Sequence, residues 1–230
     1  MNNAMESTEG QIIISVQPPK KGPLDTPDVI CRLALSAIQG GAAGIRVDTP
    51  ANVRAVRAVS NLCIIGIHNV HSDRFGILIT PGFDLARDLV EAGADLIALD
   101  ATMRWCDEKT LKALVDRIHT ELEVPVMADV RSADEGRVAW DLGADYVATT
   151  LSVLVRNRDA VPAIDMVKEL AQSGIRCVLE GGVAFQDHVR RAYDAGAFSV
   201  VVGTMVTDPE AITRRLREGC GNRLAPDGTC

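Results

Sequence analysis

The hydrophobic positions of this chain fall into eight short runs, separated by stretches in which apolar residues recur with helical spacing. Four runs belong to one repeated segment: Gly41-Ala-Ala-Gly-Ile-Arg-Val-Asp48, Gly93-Ala-Asp-Leu-Ile-Ala-Leu-Asp100, Gly143-Ala-Asp-Tyr-Val-Ala-Thr-Thr150 and Gly196-Ala-Phe-Ser-Val-Val-Val-Gly203. Their Gly-Ala pairs stand 52, 50 and 53 residues apart. In each copy an amphipathic stretch stops at a glycine, as at a helix C-terminus, and an apolar strand starts at once. The other runs, at 12–17, 62–69, 124–129 and 175–181, alternate with the copies.

The intervening stretches carry local helix signals. Thr26-Pro27 and Thr49-Pro50 offer an N-cap followed by proline in the first turn. Ser132 and Glu135 have capping-box spacing, and Asp208-Pro209 opens the last helix. Leu111, Leu114, Val115 and Ile118 mark one apolar face. Strands that are apolar almost throughout suit a parallel sheet covered by helices. Eight strand–helix units in 230 residues predict an α/β fold, a single-domain (β/α)8 TIM barrel, two units to each repeat. An open doubly wound sheet is disfavoured, because no Gly-x-Gly-x-x-Gly follows an early strand. The barrel is expected over 11–218, with 1–10 a disordered N-terminus and 219–230 a flexible C-terminal tail.

Composition narrows the class. A chain 47% hydrophobic and 24% charged has enough apolar residues for one substantial core. A net charge of −7 argues against nucleic acid or an anionic membrane as partner. No apolar run approaches a bilayer span, and the first ten residues are polar, unlike a signal peptide. Six scattered cysteines without a Cys-x-x-Cys pair suit a reduced, cytoplasmic protein lacking structural zinc.

A barrel places its active site at the C-terminal ends of the strands. The polar residues at those ends are Gln17, Arg46, Asp48, His68, Asn69, Asp100, Asp129, Thr149, Thr150, Glu180 and the pair Gly203-Thr204. The opposite rim carries caps and Gly-Ala turns, and this asymmetry favours an enzyme over a scaffold. Glu180 ends an apolar run just before Gly181-Gly182, joining a proton-exchanging carboxyl to glycines whose amides can approach a ligand. Gly181, Gly182, Gly203 and Thr204 end the seventh and eighth strands, where barrels often cradle phosphate; tight turns explain them equally well. Arg46, inside an apolar strand, requires an anion: either a substrate group or an internal partner in Asp48 or Asp100. Asp129 either orients a sugar hydroxyl or a catalytic partner, or caps the helix near Ser132. His68, His71 and Asp73 share a loop with no register to converge them, so no metal is expected.

Nine segments resemble the N-acetylmannosamine-6-phosphate 2-epimerase family in order and spacing, from about residue 12 to 216. They are Ser15-Val-Gln17, Gly44-Ile-Arg46, Ile65-Gly-Ile67, Ile79-Thr-Pro81, Asp100-Ala-Thr-x-Arg104, Met127-Ala-Asp129, Thr149-Thr-Leu151, Glu180-Gly181 and Val200-Val-Val-Gly203. The resemblance implies a (β/α)8 barrel that inverts the carbon bearing an acetamido group, using no metal or nucleotide cofactor. It implies roles in holding the sugar for Gln17, Arg46 and Asp129, with Asp100, Arg104 and Thr150 in matched segments beside them. It implies proton transfer by Glu180. The expected partner is a small-molecule carbohydrate, with a homodimer as the assembly allowed.

Three positions depart from the family pattern. Its Gly-Ile-x-Lys-Arg segment, with the lysine as base, reads Gly66-Ile67-His68-Asn69-Val70 here. Asn69 stands at the lysine position, and an amide takes up no proton at neutral pH. Glu-Gly-Arg becomes Glu180-Gly181-Gly182, and Thr-Arg-Pro becomes Thr207-Asp208-Pro209, an acid where a cation would face phosphate. Inversion beside a carbonyl needs one group to remove the proton and another to deliver it to the opposite face. Glu180 is one, and the other falls to His68, His71 or Asp129. On a continuing strand His68 and Asn69 point to opposite sides, and His71 shares the side of Asn69. The expected function is epimerisation with an altered base. A lyase or aldolase on the same barrel would instead cleave a bond, and a ligand-binding relative would do neither.

Overall fold

The computed structural model describes residues 4–154 and 161–220. Each glycine of the Gly-Ala repeat ends a helix in the left-handed region, with φ of 96° at Gly41, 106° at Gly93, 105° at Gly143 and 93° at Gly196. The glycine N–H returns to the carbonyl three residues back and the alanine N–H to the one five back. Gly93 thus bonds Val90 at 2.9 Å and Ala94 bonds Leu89 at 3.0 Å, which satisfies the last carbonyls of the helix. One residue on, the chain is already in the sheet: Ala43 donates to Ile12, Asp95 to Ile64, Asp145 to Val126 and Phe198 to Cys177. The repeat therefore both ends a helix and fixes strand register.

The strands are β1 (Ile12–Val16), β2 (Gly44–Asp48), β3 (Cys63–Ile67), β4 (Asn69–Ser72), β5 (Gly76–Ile79), β6 (Leu96–Asp100), β7 (Val126–Asp129), β8 (Tyr146–Ala148), β9 (Cys177–Glu180) and β10 (Ser199–Val202). All except β4 and β5 run parallel and close a barrel in the order β1-β2-β3-β6-β7-β8-β9-β10. The helices are α1 (Pro27–Gln39), α2 (Pro50–Arg57), α3 (Phe83–Glu91), α4 (Glu108–Arg117), α5 (Ala133–Asp141), α6 (Ile164–Gln172), α7 (Gln186–Asp194), α8 (Thr204–Thr207) and α9 (Pro209–Glu218). The expected (β/α)8 barrel is the fold observed.

Local signals account for the helix ends with two adjustments. Thr26 and Thr49 occupy the N-cap positions of α1 and α2 without a side-chain cap bond, so proline alone marks those starts. Ser132 caps α5 by accepting the Glu135 N–H at 3.3 Å, but Glu135 turns back onto the Arg131 N–H at 2.9 Å instead of that of Ser132. Leu111, Leu114, Val115 and Ile118 are all buried, as their spacing predicts.

The strand pleat divides the apolar side chains into two sets. Ile13, Cys63, Ile65, Ile67, Leu96, Ala98, Met127, Tyr146, Val178 and Val201 fill the barrel, and the alternate residues pack against the helices. The segment Ala4–Thr8 corrects the expectation of a disordered start. It forms a 3-10 turn whose Met5 joins the barrel-filling cluster and whose Thr8 is buried. Glu6 anchors it, accepting from Arg176 Nη1 at 2.7 Å and Tyr146 Oη at 3.0 Å. At the other end Gly219 caps α9, and residues 221–230 of the expected tail lie outside the described residues.

A second correction concerns the loop after β3. β4 and β5 form an antiparallel hairpin on the C-terminal rim, with Asn69 opposite Ile79 and His71 opposite Ile77. Arg104 ties it to the loop after β6 by donating to the carbonyls of Phe75 (2.5 Å) and Ile77 (2.6 Å).

Candidate active site

Strand register decides which rim residues face the mouth. Ser15 lies beside Arg46, Arg46 beside Ile65, Asp48 beside Ile67, Asp100 beside Asp129, and Glu180 beside Val201. Because the pleat has a period of two, Arg46, Asp48, Asp100, Asp129 and Glu180 share the inward side with the barrel-filling residues. They fall into three groups.

The first group centres on Arg46, which is fully buried. Its expected internal partners were Asp48 or Asp100; they are instead Asp129 and Glu180. Nη2 lies 2.7 Å from Asp129 Oδ2, Nη1 3.2 Å from Asp129 Oδ1, and Nη1 3.0 Å from Glu180 Oε2. A long side chain on β2 spans the barrel to β7 and β9, which neighbours in sequence do not reveal. Asp129 is therefore part of this clasp and does not cap α5, a task Ser132 performs. Thr150 Oγ1 completes the group, 2.5 Å from Asp129 Oδ1 and 3.2 Å from Glu180 Oε2. Burial works against the charge of Arg46, but Asp129 and Glu180 outweigh it and keep the guanidinium protonated above its ordinary range. Glu180 moves the other way: burial, and then the nearby Asp129, push its carboxyl from 4.5 up to about 7 against the pull of Arg46. Its side chain retains 12% exposure. Thr149 fixes its backbone from the adjacent strand, accepting the Glu180 N–H at 3.0 Å and donating to the Glu180 carbonyl at 2.8 Å.

The second group stands on the opposite wall. Asp48 Oδ1 accepts the Asn69 backbone N–H at 3.1 Å, and Oδ2 accepts Asn69 Nδ2 at 3.0 Å. The same amide donates to Gln17 Oε1 at 3.2 Å, and Gln17 Nε2 donates to Ser15 Oγ at 2.5 Å. Lys20, from the loop after β1, brings Nζ within 2.9 Å of Asp48 Oδ2. Lys20 was absent from the sequence-derived candidates. It lies beyond the strand end, and only its place in a catalytic-face loop could have signalled it.

The third group is Asp100, Thr102 and Arg104. Asp100 is buried and accepts from Thr102 Oγ1 at 2.6 Å and from the Arg104 guanidinium. The histidines do not join these groups. His71, two residues along β4 from Asn69, has its side chain 77% exposed to solvent with Asp73 at 3.7 Å. The His68 backbone N–H donates to Thr80 Oγ1 at 3.0 Å, and its Nδ1 is buried without a partner among the described residues. No cluster of three His, Cys, Asp or Glu among the described residues is disposed to hold a metal ion.

The glycine turns are real backbone devices. Gly181 and Gly182 have φ of 99° and 75°, a conformation that side chains with a Cβ rarely adopt. Gly203 and Thr204 begin the short α8. Asp208 caps α9 by accepting the Ala211 N–H at 2.9 Å.

A closed parallel barrel whose polar strand ends converge on its C-terminal rim has the architecture of the (β/α)8 barrel enzymes. The NanE family model, described as "Putative N-acetylmannosamine-6-phosphate epimerase", matches residues 30–222. The chain belongs to this family of carbohydrate epimerases, which are isomerases. A relative from Thermosynechococcus vestitus, named "Putative N-acetylmannosamine-6-phosphate 2-epimerase", is 38% identical over 208 residues, covering 89% of this chain and 91% of its own. One of the same name from Photobacterium profundum is 36% identical over 211 residues, covering 91% and 89%. The solved N-acetylmannosamine-6-phosphate 2-epimerase from Clostridium perfringens superposes with a TM-score of 0.86 at 33% identity, covering 93% of this chain and 95% of that one. Thiamine phosphate pyrophosphorylase from Pyrococcus furiosus, at 18% identity and a TM-score of 0.61, shares the fold. No helix among the described residues is long and apolar enough to cross a membrane.

Proposed function

We propose that this chain interconverts N-acetylmannosamine 6-phosphate and its C2 epimer, with Glu180 carrying one of the two proton transfers. The observation that carries the reading is Glu180 itself: a buried, inward-facing carboxyl at a strand end, raised to about 7. A group that ionises near the working pH serves equally as base and as acid. As the carboxylate removes the C2 proton, the C–H electrons move into the C1–C2 bond and the carbonyl π pair moves onto its oxygen. The fixed positive charge of Arg46 lowers the cost of that negative charge in a poorly solvated mouth. Gln17 and Thr150 supply donors and acceptors for sugar hydroxyls and the acetamido group, while the fully buried Asp129 and Asp100 fix Arg46, Thr150 and Arg104 around them. The amides of Gly181, Gly182, Gly203 and Thr204 are assigned to the phosphate. The carboxylate of Asp208 is engaged in capping α9.

The test is incubation with N-acetylmannosamine 6-phosphate in D2O, followed by proton NMR at C2. Deuterium incorporation together with inversion is expected, and Glu180→Gln should abolish inversion. Bond cleavage would indicate a lyase, and the absence of both exchange and inversion would overturn the reading.

A further inference from the structure

Inversion requires a second proton carrier on the substrate face turned away from Glu180. The barrel order places β3 directly across from β9, with three strands intervening on either side. The polar groups of that far wall are Asn69, following β3, and Asp48, ending its neighbour β2. Asn69 takes up no proton at neutral pH. Both oxygens of Asp48 accept hydrogen bonds from Asn69, and Oδ2 also holds the Lys20 ammonium at 2.9 Å. Lys20 is thus the one amine brought to this wall among the described residues. Its side chain is 51% exposed, so it stands at the open mouth, and its other carboxylate contact, Asp25, is 3.8 Å away.

The other titratable groups are poorly disposed for the task. Asp129 has no exposure and is gripped by two guanidinium nitrogens and Thr150. His71 is turned to solvent on the hairpin, and His68 lies in the opposite register to Asn69.

We propose that Lys20 is the second proton carrier, with Asp48 and Asn69 as positioning residues that hold it opposite Glu180. The proposal rests on the epimerase reading above. In one direction the Glu180 carboxylate takes the C2 proton and leaves an enolate. A Lys20 N–H bond then breaks, its proton forms the new C–H bond on the opposite face, and the carbonyl is restored. The enzyme ends with neutral Lys20 and protonated Glu180, and the reverse reaction, or proton exchange with water, resets the pair. Charge and proton count are conserved throughout.

The test follows each epimer separately in D2O with the wild-type chain, Lys20→Gln, Glu180→Gln and, as control, Lys21→Gln. Lys20→Gln should slow inversion by ~10²–10⁴-fold. It should still exchange the C2 proton of the one epimer whose C–H faces Glu180, without inverting it. Glu180→Gln should give the mirror image, exchanging only the other epimer, and Lys21→Gln should behave as wild type. One-sided exchange is a signature that a purely structural role would not produce. Wild-type inversion in Lys20→Gln, with inversion lost in Glu180→Gln, overturns the role of Lys20 and leaves the epimerase reading intact. Loss of exchange from both epimers in Lys20→Gln likewise overturns it. A wild-type chain that neither exchanges nor inverts the substrate overturns the epimerase reading, and this proposal with it.

Discussion

Glutamine at position 180 removes the titration of Glu180 together with its interaction with the neighbouring Asp129. In the folded chain burial lifts this carboxyl from 4.5 to about 7, so between those values the folded state keeps a proton that the unfolded state has released. Stability from this group is therefore complete below about 4.5 and is lost as pH rises through about 7. At 1.36 kcal/mol for each pKa unit, the interval corresponds to about 3 kcal/mol. Urea unfolding at a series of pH values, with wild type and Glu180→Gln side by side, reports Glu180 with its interaction with Asp129, because groups remote from both cancel in the difference. The wild-type free energy should fall relative to the variant by about 3 kcal/mol between acid and pH 8. Catalysis should report the same ionisation as an acidic limb near 7 in kcat/KM, identical for both epimers because their equilibrium constant fixes the ratio. A flat stability difference would refute the reasoning. Glu180 would then ionise in the ordinary carboxylate range, a permanent counter-ion of Arg46 with no proton to deliver at neutral pH.

Two further substitutions test how the mouth is held. Thr149→Val removes the hydroxyl that bonds both the N–H and the carbonyl of Glu180, and should cost about 1–3 kcal/mol in a urea titration. It should lower kcat more than it changes KM, and Thr149→Ser should restore the rate. Arg104→Ala leaves Asp100 as an unpaired buried carboxylate and frees the Phe75 and Ile77 carbonyls. A loss of about 3–5 kcal/mol is expected, with faster amide hydrogen exchange in β4 and β5; unchanged exchange there would show that the hairpin does not depend on Arg104.

The barrel was legible in the sequence because its signals are local. Gly41, Gly93, Gly143 and Gly196 each mark a helix end and a strand start within a few residues, and buried strands betray themselves by apolar runs. The features that escaped are those whose cause lies far along the chain. Met5 is one apolar residue in a polar stretch, and only the open end of the barrel gives it a place. The β4–β5 hairpin hid because Asn69 reads as a continuation of β3, whereas its pairing partner Ile79 belongs to a segment without alternation. Arg46 was correctly seen to need an anion, yet its partners are 83 residues away in Asp129 and farther still in Glu180. Lys20 sits among prolines beyond a strand end, and nothing short of the closed barrel brings it to Asp48.

Counting charges around the mouth, among the described residues, explains why Glu180 holds its proton above the ordinary carboxylate range. Asp129 takes the bidentate grip of Arg46, Asp100 has Arg104, and Asp48 has Lys20. Among the described residues Glu180 is the fourth carboxyl facing three cations, and it shares a guanidinium that Asp129 already holds with two bonds. Ionising it places a surplus negative charge in a site largely closed to water, so the proton is retained to a higher pH than on a free glutamate. Burial raises Asp129 as well, but that carboxyl has no exposure through which to reach a substrate. The same imbalance makes Lys20 the complementary group. Of the three cations it alone is an amine on a half-exposed side chain, while guanidinium groups do not release protons in proteins. A surplus acid on one wall and the Lys20 ammonium on the other form a pair that can pass one proton in each direction across a substrate carbon. Asn69 fits this arrangement as the amide that holds Asp48 in place while Lys20 does the transfer.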